Sequence, residues 1–183
     1  MPTYVSLLRG INVSGRNRIT MAALRALYEA DGHHDVSTYV QSGNVISRSN
    51  VRSAVTVAHS IERSIGDELG LDVTVLVRSP ADLAGVLAGN PFVSRGDNVT
   101  KLHVTFLAES PVRANVDALD GDAFSPDRFA VHGQEIYVSC PNGYGRTKIT
   151  NTWFERKLGV AATTRNWKTV TRLAQLAAGP IRR

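Results

Sequence analysis

Apolar positions recur in the first part of the chain with the spacings of strands and helices. In order, the pattern predicts a strand at residues 3–9, a helix at 21–30, a hairpin at 36–47, a helix at 54–69 and a strand at 72–78. Thr20 and Ser53 stand where helix N-caps are expected, and Gly70 stands where the second helix should stop. The order strand, helix, hairpin, helix, strand is that of the split βαβ or ferredoxin-like unit.

A similar order of elements begins again after residue 100. The pattern predicts a strand at 101–107, a short helix at 111–120, a hairpin at 129–139, a helix at 149–158, a short strand at 161–165 and a last helix, capped by Asn166, that ends at Gly179. The intervening residues include a short helix that starts at Pro80. We therefore predict an α+β protein.

The predicted organisation is two ferredoxin-like (split βαβ) subdomains in tandem, read as one compact structural unit. The first spans residues 1–78, a connecting segment with a short helix spans 79–100, and the second, with the C-terminal helix, spans 101–183. The second copy is expected to be degenerate at its last strand.

Composition excludes several classes of protein. With 183 residues, 43% hydrophobic and 20% charged, the chain can bury a core without disulfides or metals. The single cysteine, Cys140, excludes a disulfide scaffold and a thiolate metal site, and no cofactor is indicated. The longest uncharged stretches have 12 residues, whereas a membrane-spanning helix needs about 20. No secretory signal is recognisable, so we expect a cytoplasmic protein without membrane contact.

Positive charge is concentrated at the end of the chain. Residues 141–183 contain one acid, Glu155, and nine basic residues: Arg146, Lys148, Arg156, Lys157, Arg165, Lys168, Arg172, Arg182 and Arg183. This segment has a charge of +8, against −3 for the rest of the chain. Such a segment attracts phosphate compounds, nucleic acid or an acidic protein. Equally, it is typical of solvated helices whose cations favour the helix dipole and solubility.

Two glycine-rich loops carry basic residues. Residues 10–17, GINVSGRN, lack the Lys and Ser or Thr of a phosphate-binding P-loop, yet their amides, flanked by Arg9, Arg16 and Arg18, suit an anion. Residues 142–148, NGYGRTK, form the second such loop. For the first loop, the alternative is a surface loop whose glycines only permit tight turns.

Residues 164–167, TRNW, join a guanidinium, a helix cap and an indole. This combination suits a flat anionic ligand, because guanidinium and indole both stack on planar groups. Equally, it is typical of a capped helix that Trp167 anchors in the core.

Six motifs together resemble the bacterial family catalogued as domain of unknown function 1697. They are LRGINV at residues 8–13, QSGNV at 41–45, VRS at 77–79, NPF at 90–92, GRTK at 145–148 and TRNW at 164–167. The resemblance implies two ferredoxin-like subdomains and no assigned activity. Polar residues of these motifs, placed at strand ends and loops, are the candidate ligand-binding residues together with Trp167: Arg9, Asn12, Asn44, Arg78, Asn90, Lys148, Arg165 and Asn166.

The leading functional hypothesis is a binding protein for an anionic small molecule, a nucleotide or nucleic acid. Its cationic contacts would be Arg9, Arg78, Lys148 and Arg165, and we expect Arg9, Asn12 and Arg165 around one depression with Trp167 at its base. One alternative is an enzyme acting on a phosphorylated or carboxylated metabolite, in which Lys148 is proton donor or electrophile and Asn12 and Asn44 orient the substrate. Another is an interaction module for an acidic partner. The sequence does not fix the oligomeric state.

Overall fold

The computed structural model describes residues 1–179. These residues form two four-stranded antiparallel sheets with helices. By its contacts the chain divides into a first unit, residues 1–84 with the described residues from 172 onward, and a second unit, residues 85–171. The α+β class predicted from the sequence is confirmed. Arg182 and Arg183, counted in the basic segment, lie outside the described residues.

The first unit contains the elements that the apolar pattern predicts, in the same order. They are β1 (Thr3–Leu8), α1 (Met21–Ala30), β2 (His34–Tyr39), β3 (Asn44–Arg48), α2 (Ala54–Leu69) and β4 (Val75–Arg78). The sheet order is β2-β3-β1-β4, and every neighbouring pair is antiparallel. The central strands are therefore β3 and β1, and the end of β1 lies beside the start of the edge strand β4.

Local hydrogen bonds explain where the helices of the first unit begin and end. The Thr20 hydroxyl accepts from the Ala23 N–H at the start of α1, and the Ser53 hydroxyl does the same for Thr56 in α2. Gly70 ends α2 in the left-handed conformation, with φ +64°. Both helices pack on one face of the sheet, where their buried residues form one core with the strands: Leu24, Leu27 and Tyr28 from α1, and Val57, Ile61 and Ile65 from α2.

The second unit has a sheet with the same pattern of connections. After α3 (Pro80–Ala88), which starts in the first unit, come α4 (Pro91–Ser94), β5 (Leu102–Leu107), α5 (Arg113–Asp117), β6 (Arg128–His132), β7 (Glu135–Ser139), α6 (Asn151–Leu158), β8 (Ala162–Asn166) and α7 (Trp167–Ala178). The residues of α7 from 172 onward belong to the first unit. The sheet order is β6-β7-β5-β8, again antiparallel throughout. On one face, Phe154 and Leu158 of α6 share a core with the strands.

The expected degeneracy of the last strand is not seen. β8 pairs with β5 at five positions, from Ala162 opposite Leu107 to Asn166 opposite His103. Two consecutive threonines account for this, because β-branched side chains favour a strand. The hydroxyl of Thr164 also lies 2.8 Å from that of Thr105 in β5, which adds a cross-strand hydrogen bond.

The connecting segment contains a second short helix that the sequence pattern does not predict. The Asn90 side-chain oxygen accepts from the Phe92 N–H and starts α4, so the asparagine and proline that indicate a stop also start a new turn. Among residues 1–179, no helix has the length and apolarity needed to cross a membrane.

A buried histidine in the first unit joins α1 to the sheet. His33 follows α1, its Nδ1 lies 2.9 Å from the Ser47 hydroxyl in β3, and its Nε2 lies 3.8 Å from the Asp31 carboxylate. Burial lowers the pKa of His33, while Asp31 raises it and His34 lowers it. The neutral imidazole is therefore the form that the fold favours.

We expect the free energy of unfolding to fall as the pH drops from 7 to 5. Unfolded His33, with an ordinary pKa of 6.5, binds a proton at a higher pH than the folded residue does. Its contribution to stability is thus present above pH 6.5 and is lost as the pH falls through the folded pKa. Denaturant titrations at a series of pH values measure this effect. His33→Gln should reduce the slope of the free energy of unfolding against pH, whereas substitution of the exposed His59 by Gln should not. Equal slopes in the two variants would contradict the assignment of this pH dependence to His33.

Candidate anion site in the second unit

In the first unit, Asn12 and Asn44 hold the loops at one end of β1. Asn12 has φ +54°, and its side-chain N–H groups donate to the carbonyl oxygens of Ile19 and Gln41, both at 2.9 Å. Asn44 is fully buried, and its N–H groups donate to Tyr39 O and to the Ser42 hydroxyl. The amide hydrogens of both side chains are therefore engaged within the protein.

Arg9 and Arg78 lie at different positions along the same pair of strands. Arg9 follows β1, is half-buried, and donates its backbone N–H to Thr74 O. Arg78 pairs with Val5, three positions before Leu8 on β1, which corresponds to about 10 Å along a strand. Arg78 is buried and donates to Val77 O. Both residues have a further partner within the protein.

Arg165 is the buried arginine of the second unit. Its Nη1 donates to the Thr163 hydroxyl at 2.7 Å and to Thr164 O at 3.0 Å. Burial lowers the pKa of its guanidinium to about 10, because removal from water penalises the charged form. Its register partner in β5 is Val104.

The two buried arginines occupy the same position in their sheets. Leu8 donates its N–H to Gly43 O, and Leu107 donates its N–H to Gln134 O, which aligns β1 with β5. In that alignment Val5 corresponds to Val104, and these are the partners of Arg78 and Arg165. The motifs VRS and TRNW therefore place equivalent guanidinium groups on the fourth strand of each sheet.

Three further candidate residues of the second unit have structural contacts. Asn166 accepts from the Thr169 N–H at 2.8 Å and caps α7, as predicted. Trp167 is the first residue of α7 and is half-buried. Asn90 is buried, and its side-chain N–H group has no hydrogen-bond partner among residues 1–179. The depression expected to combine Arg9 and Asn12 with Arg165 stays a prediction.

Lys148, by contrast, lines a cleft that lies wholly within the second unit. This Lys148 cleft has a volume of about 290 Å³ and is formed by two loops, residues 123–127 and the NGYGRTK loop. Its lining residues are Ala123, Phe124, Ser125, Pro126, Asp127, Asn142, Arg146 and Lys148. Arg165 is not among them, because odd and even positions of β8 point to opposite faces of the sheet and the Thr164 face is the one that contacts α6.

An aromatic contact fixes the basic loop of the cleft. The Tyr144 ring stacks on His103 of β5 with 4.4 Å between ring centroids, and the Tyr144 hydroxyl accepts from the Asn151 N–H at the start of α6. Gly143, with φ +93°, allows the chain to turn before this contact. Arg146 and Lys148 are therefore held between two anchored points, and both are exposed.

The opposite wall of the cleft rests on the core of the second unit. The Phe124 ring makes an edge contact with Trp153 of α6, with 5.0 Å between centroids, and the Asp127 N–H donates to Phe124 O. Cys140 belongs to the core against which Phe124 packs and is fully buried, and burial raises the pKa of its thiol to about 11. The thiol is thus protonated at neutral pH, as expected of an inert core cysteine.

Charged groups in the cleft are not paired with other parts of the described chain. The side chains of Arg146, Lys148 and Asp127 make neither a hydrogen bond nor an ion pair with any of residues 1–179. Elsewhere in the same unit, Arg113 pairs with Asp117 and Arg128 pairs with Asp97. The cleft therefore offers two cations and one carboxylate whose polar atoms remain available.

One wall of this cleft is predicted from the sequence and the other is not. The basic glycine loop with Lys148 is predicted, but Phe124, Ser125 and Asp127 are not candidates because they belong to a loop without a motif. A run of acids at 117, 120, 122 and 127 is the only sequence signal there. Packing of Phe124 on Trp153 brings the two loops together, and this contact has no local signature.

The protein is thus of the α+β class, with two sheets of the same strand order and an open polar cleft. A family model matches residues 1–137, and the chain belongs to that family, described as protein of unknown function (DUF1697). The resemblance seen in the sequence is thereby confirmed. The match contains the motifs from residues 8–13 to 90–92, and the NGYGRTK loop follows it.

A similar solved structure is that of the conserved bacterial protein SP0830 from Streptococcus pneumoniae. Its TM-score is 0.77 at 23% sequence identity, and the alignment covers 98% of this chain and 99% of that chain. At this identity the likeness concerns the fold. No curated protein matches the sequence.

Proposed function

We propose that the protein is a tandem of two ferredoxin-like subdomains that binds an anionic small molecule in the Lys148 cleft, in the cytoplasm. The observation that carries the proposal is the pair of exposed, unpaired cations, Arg146 and Lys148, in one cavity. The common order of the two sheets supports the tandem assignment.

The size of the cleft favours a small ligand over a nucleic acid. Its volume, about 290 Å³, is near the lower end of the range of small-molecule sites. Arg and Lys are the side chains that proteins use to bind phosphate and carboxylate groups, through charge-assisted hydrogen bonds. The Asn142 side chain adds a neutral amide to the same wall.

Other basic residues of the C-terminal segment have structural explanations. Arg156 and Lys157 lie in the last turn of α6, where positive charge interacts favourably with the helix dipole. Arg165 is buried and bonded. Of the nine basic residues of this segment, two therefore line the cleft, and the positions of three others, Arg156, Lys157 and Arg165, are explained by the fold.

Calorimetric titration with pyrophosphate tests the proposal. We expect the protein to bind pyrophosphate, and Lys148→Ala and Arg146→Ala each to weaken binding about 10-fold, since a hydrogen bond to a charged group contributes about 1.5 kcal/mol or more. Lys157→Ala is the matched control, because Lys157 is an exposed lysine of the same unit outside the cleft.

Salt dependence distinguishes a pocket from a diffuse basic surface. A pocket predicts only a shallow dependence of pyrophosphate affinity on salt. A surface that binds single-stranded nucleic acid predicts a log-log slope near −0.7 for each neutralised phosphate. Equal losses in Lys148→Ala and Lys157→Ala, or no binding of pyrophosphate, would reject the cleft as the anion site.

A further inference from the structure

An unpaired carboxylate lies in the same cleft as the two cations. Asp127 is half-buried and shares the cavity with Arg146 and Lys148, yet forms an ion pair with neither. Its backbone N–H donates to Phe124 O, which fixes the residue at the end of its loop. A carboxylate in this state is an acceptor with no donor from residues 1–179.

This carboxylate limits the chemistry of the ligand. A bare phosphate or pyrophosphate would gain contacts with the cations and be repelled by Asp127. A ligand that carries hydroxyl groups beside its phosphate can donate a hydrogen bond to the carboxylate, and charge-assisted bonds of this kind are among the stronger ones. Carboxylates also accept from ribose hydroxyls in dinucleotide-binding folds.

The loop that carries Asp127 also offers apolar surface for a carbon skeleton. Phe124 and Pro126 give the 123–127 loop apolar surface, and Ser125 adds a hydroxyl next to them. Phe124 is held by its edge contact with Trp153, so this surface is fixed by the core. The cleft thus combines cations, an acceptor and a short apolar wall.

We infer that the ligand of the Lys148 cleft is a phosphorylated polyol, a sugar phosphate, whose phosphate binds Arg146 and Lys148 and whose hydroxyl donates to Asp127. This inference rests on the proposed function and names its ligand class. The chemistry is shared by free sugar phosphates and by the ribose phosphate of nucleotides.

Titration of the full chain with inorganic phosphate, ribose 5-phosphate, adenosine 5′-monophosphate and ribose tests the inference. We expect ribose 5-phosphate to bind about 10-fold more tightly than inorganic phosphate, as one additional charge-assisted hydrogen bond predicts. Ribose alone should bind far more weakly than either. If adenosine 5′-monophosphate binds as tightly as ribose 5-phosphate, the result would indicate that the ligand is a nucleotide. If adenosine 5′-monophosphate binds more weakly, the result would indicate a free sugar phosphate.

Substitution of Asp127 has opposite expected effects on the two anions. In Asp127→Ala and Asp127→Asn, inorganic phosphate should bind as tightly as before or more tightly, because a repulsive charge is removed. The preference for ribose 5-phosphate should fall to about 1-fold in Asp127→Ala and to an intermediate value in Asp127→Asn, whose oxygen still accepts. Asp122→Asn, an exposed acid nearby that does not line the cleft, should keep the preference at about 10-fold.

The possible failures are distinguishable. If inorganic phosphate binds and depends on Lys148, but ribose 5-phosphate binds no more tightly, the ligand class is wrong and the anion site stands. An unchanged preference in Asp127→Ala also overturns the inference. If neither phosphate compound binds, the anion site and the ligand class both fail. Thermal melting of each variant shows whether the fold is retained.

Discussion

Gly43→Ala is expected to lower the free energy of unfolding by about 3 kcal/mol. Gly43 has φ +77°, and an alanine Cβ there would lie 2.7 Å from Ile11 Cδ1 and 2.9 Å from Leu8 Cβ. The left-handed conformation costs a non-glycine residue about 1–2 kcal/mol. Overpacking against a buried isoleucine and a strand adds about 1–3 kcal/mol. Denaturant titration of the variant gives the difference directly.

Gly10→Ala separates the two contributions to this cost. Gly10 has a similar φ, +67°, but a Cβ there meets no atom within 4 Å. This variant should lose only the conformational part, about 1 kcal/mol. Equal losses in both variants would show that close approach between the loops at residues 8–13 and 41–45 does not determine the need for glycine.

Phe154→Ala is expected to lower the free energy of unfolding by about 3–5 kcal/mol, the usual cost of truncating a buried aromatic residue. Phe154 is fully buried in α6. Its ring centroid lies 5.3 Å from that of Phe129 and 5.0 Å from that of Trp153, both in edge contacts. Chemical denaturation measures the loss.

Phe154→Leu is the control that keeps most of the volume. A hydrophobic exchange of this kind usually costs less than about 1.5 kcal/mol, since the core can repack around it. A loss below about 1 kcal/mol for Phe154→Ala would mean that α6 contributes little to the core of the second unit.

The sequence predicts those parts of the fold that depend on neighbouring residues. Helix limits at Thr20, Ser53 and Gly70 are correct because caps and stops are local hydrogen bonds or backbone conformations. The helix α4 is missed because it has only four residues and starts with the asparagine and proline that also end helices. Arg165 is buried, and its burial has no local signal, since arginine is mostly exposed in proteins.

The roles of polar residues in loops do not follow from their sequence pattern. Asn12 and Asn44 belong to motifs and stand at strand ends, which is typical of ligand-binding residues. Their amide groups instead bond to carbonyl oxygens and a hydroxyl of the adjoining loops. Asp127 has no motif, and its place opposite Lys148 follows from long-range packing. Sequence patterns therefore locate the loops better than the roles of their side chains.

The edge contact between Trp153 and Phe124 gives the Lys148 cleft an optical reporter. The chain has two tryptophans, Trp153 and Trp167. Replacing Trp167 by phenylalanine leaves a single indole, 5.0 Å from a ring that lines the cleft. Because indole emission depends on nearby rings and on polarity, fluorescence intensity and wavelength in that variant follow the cleft without an attached dye.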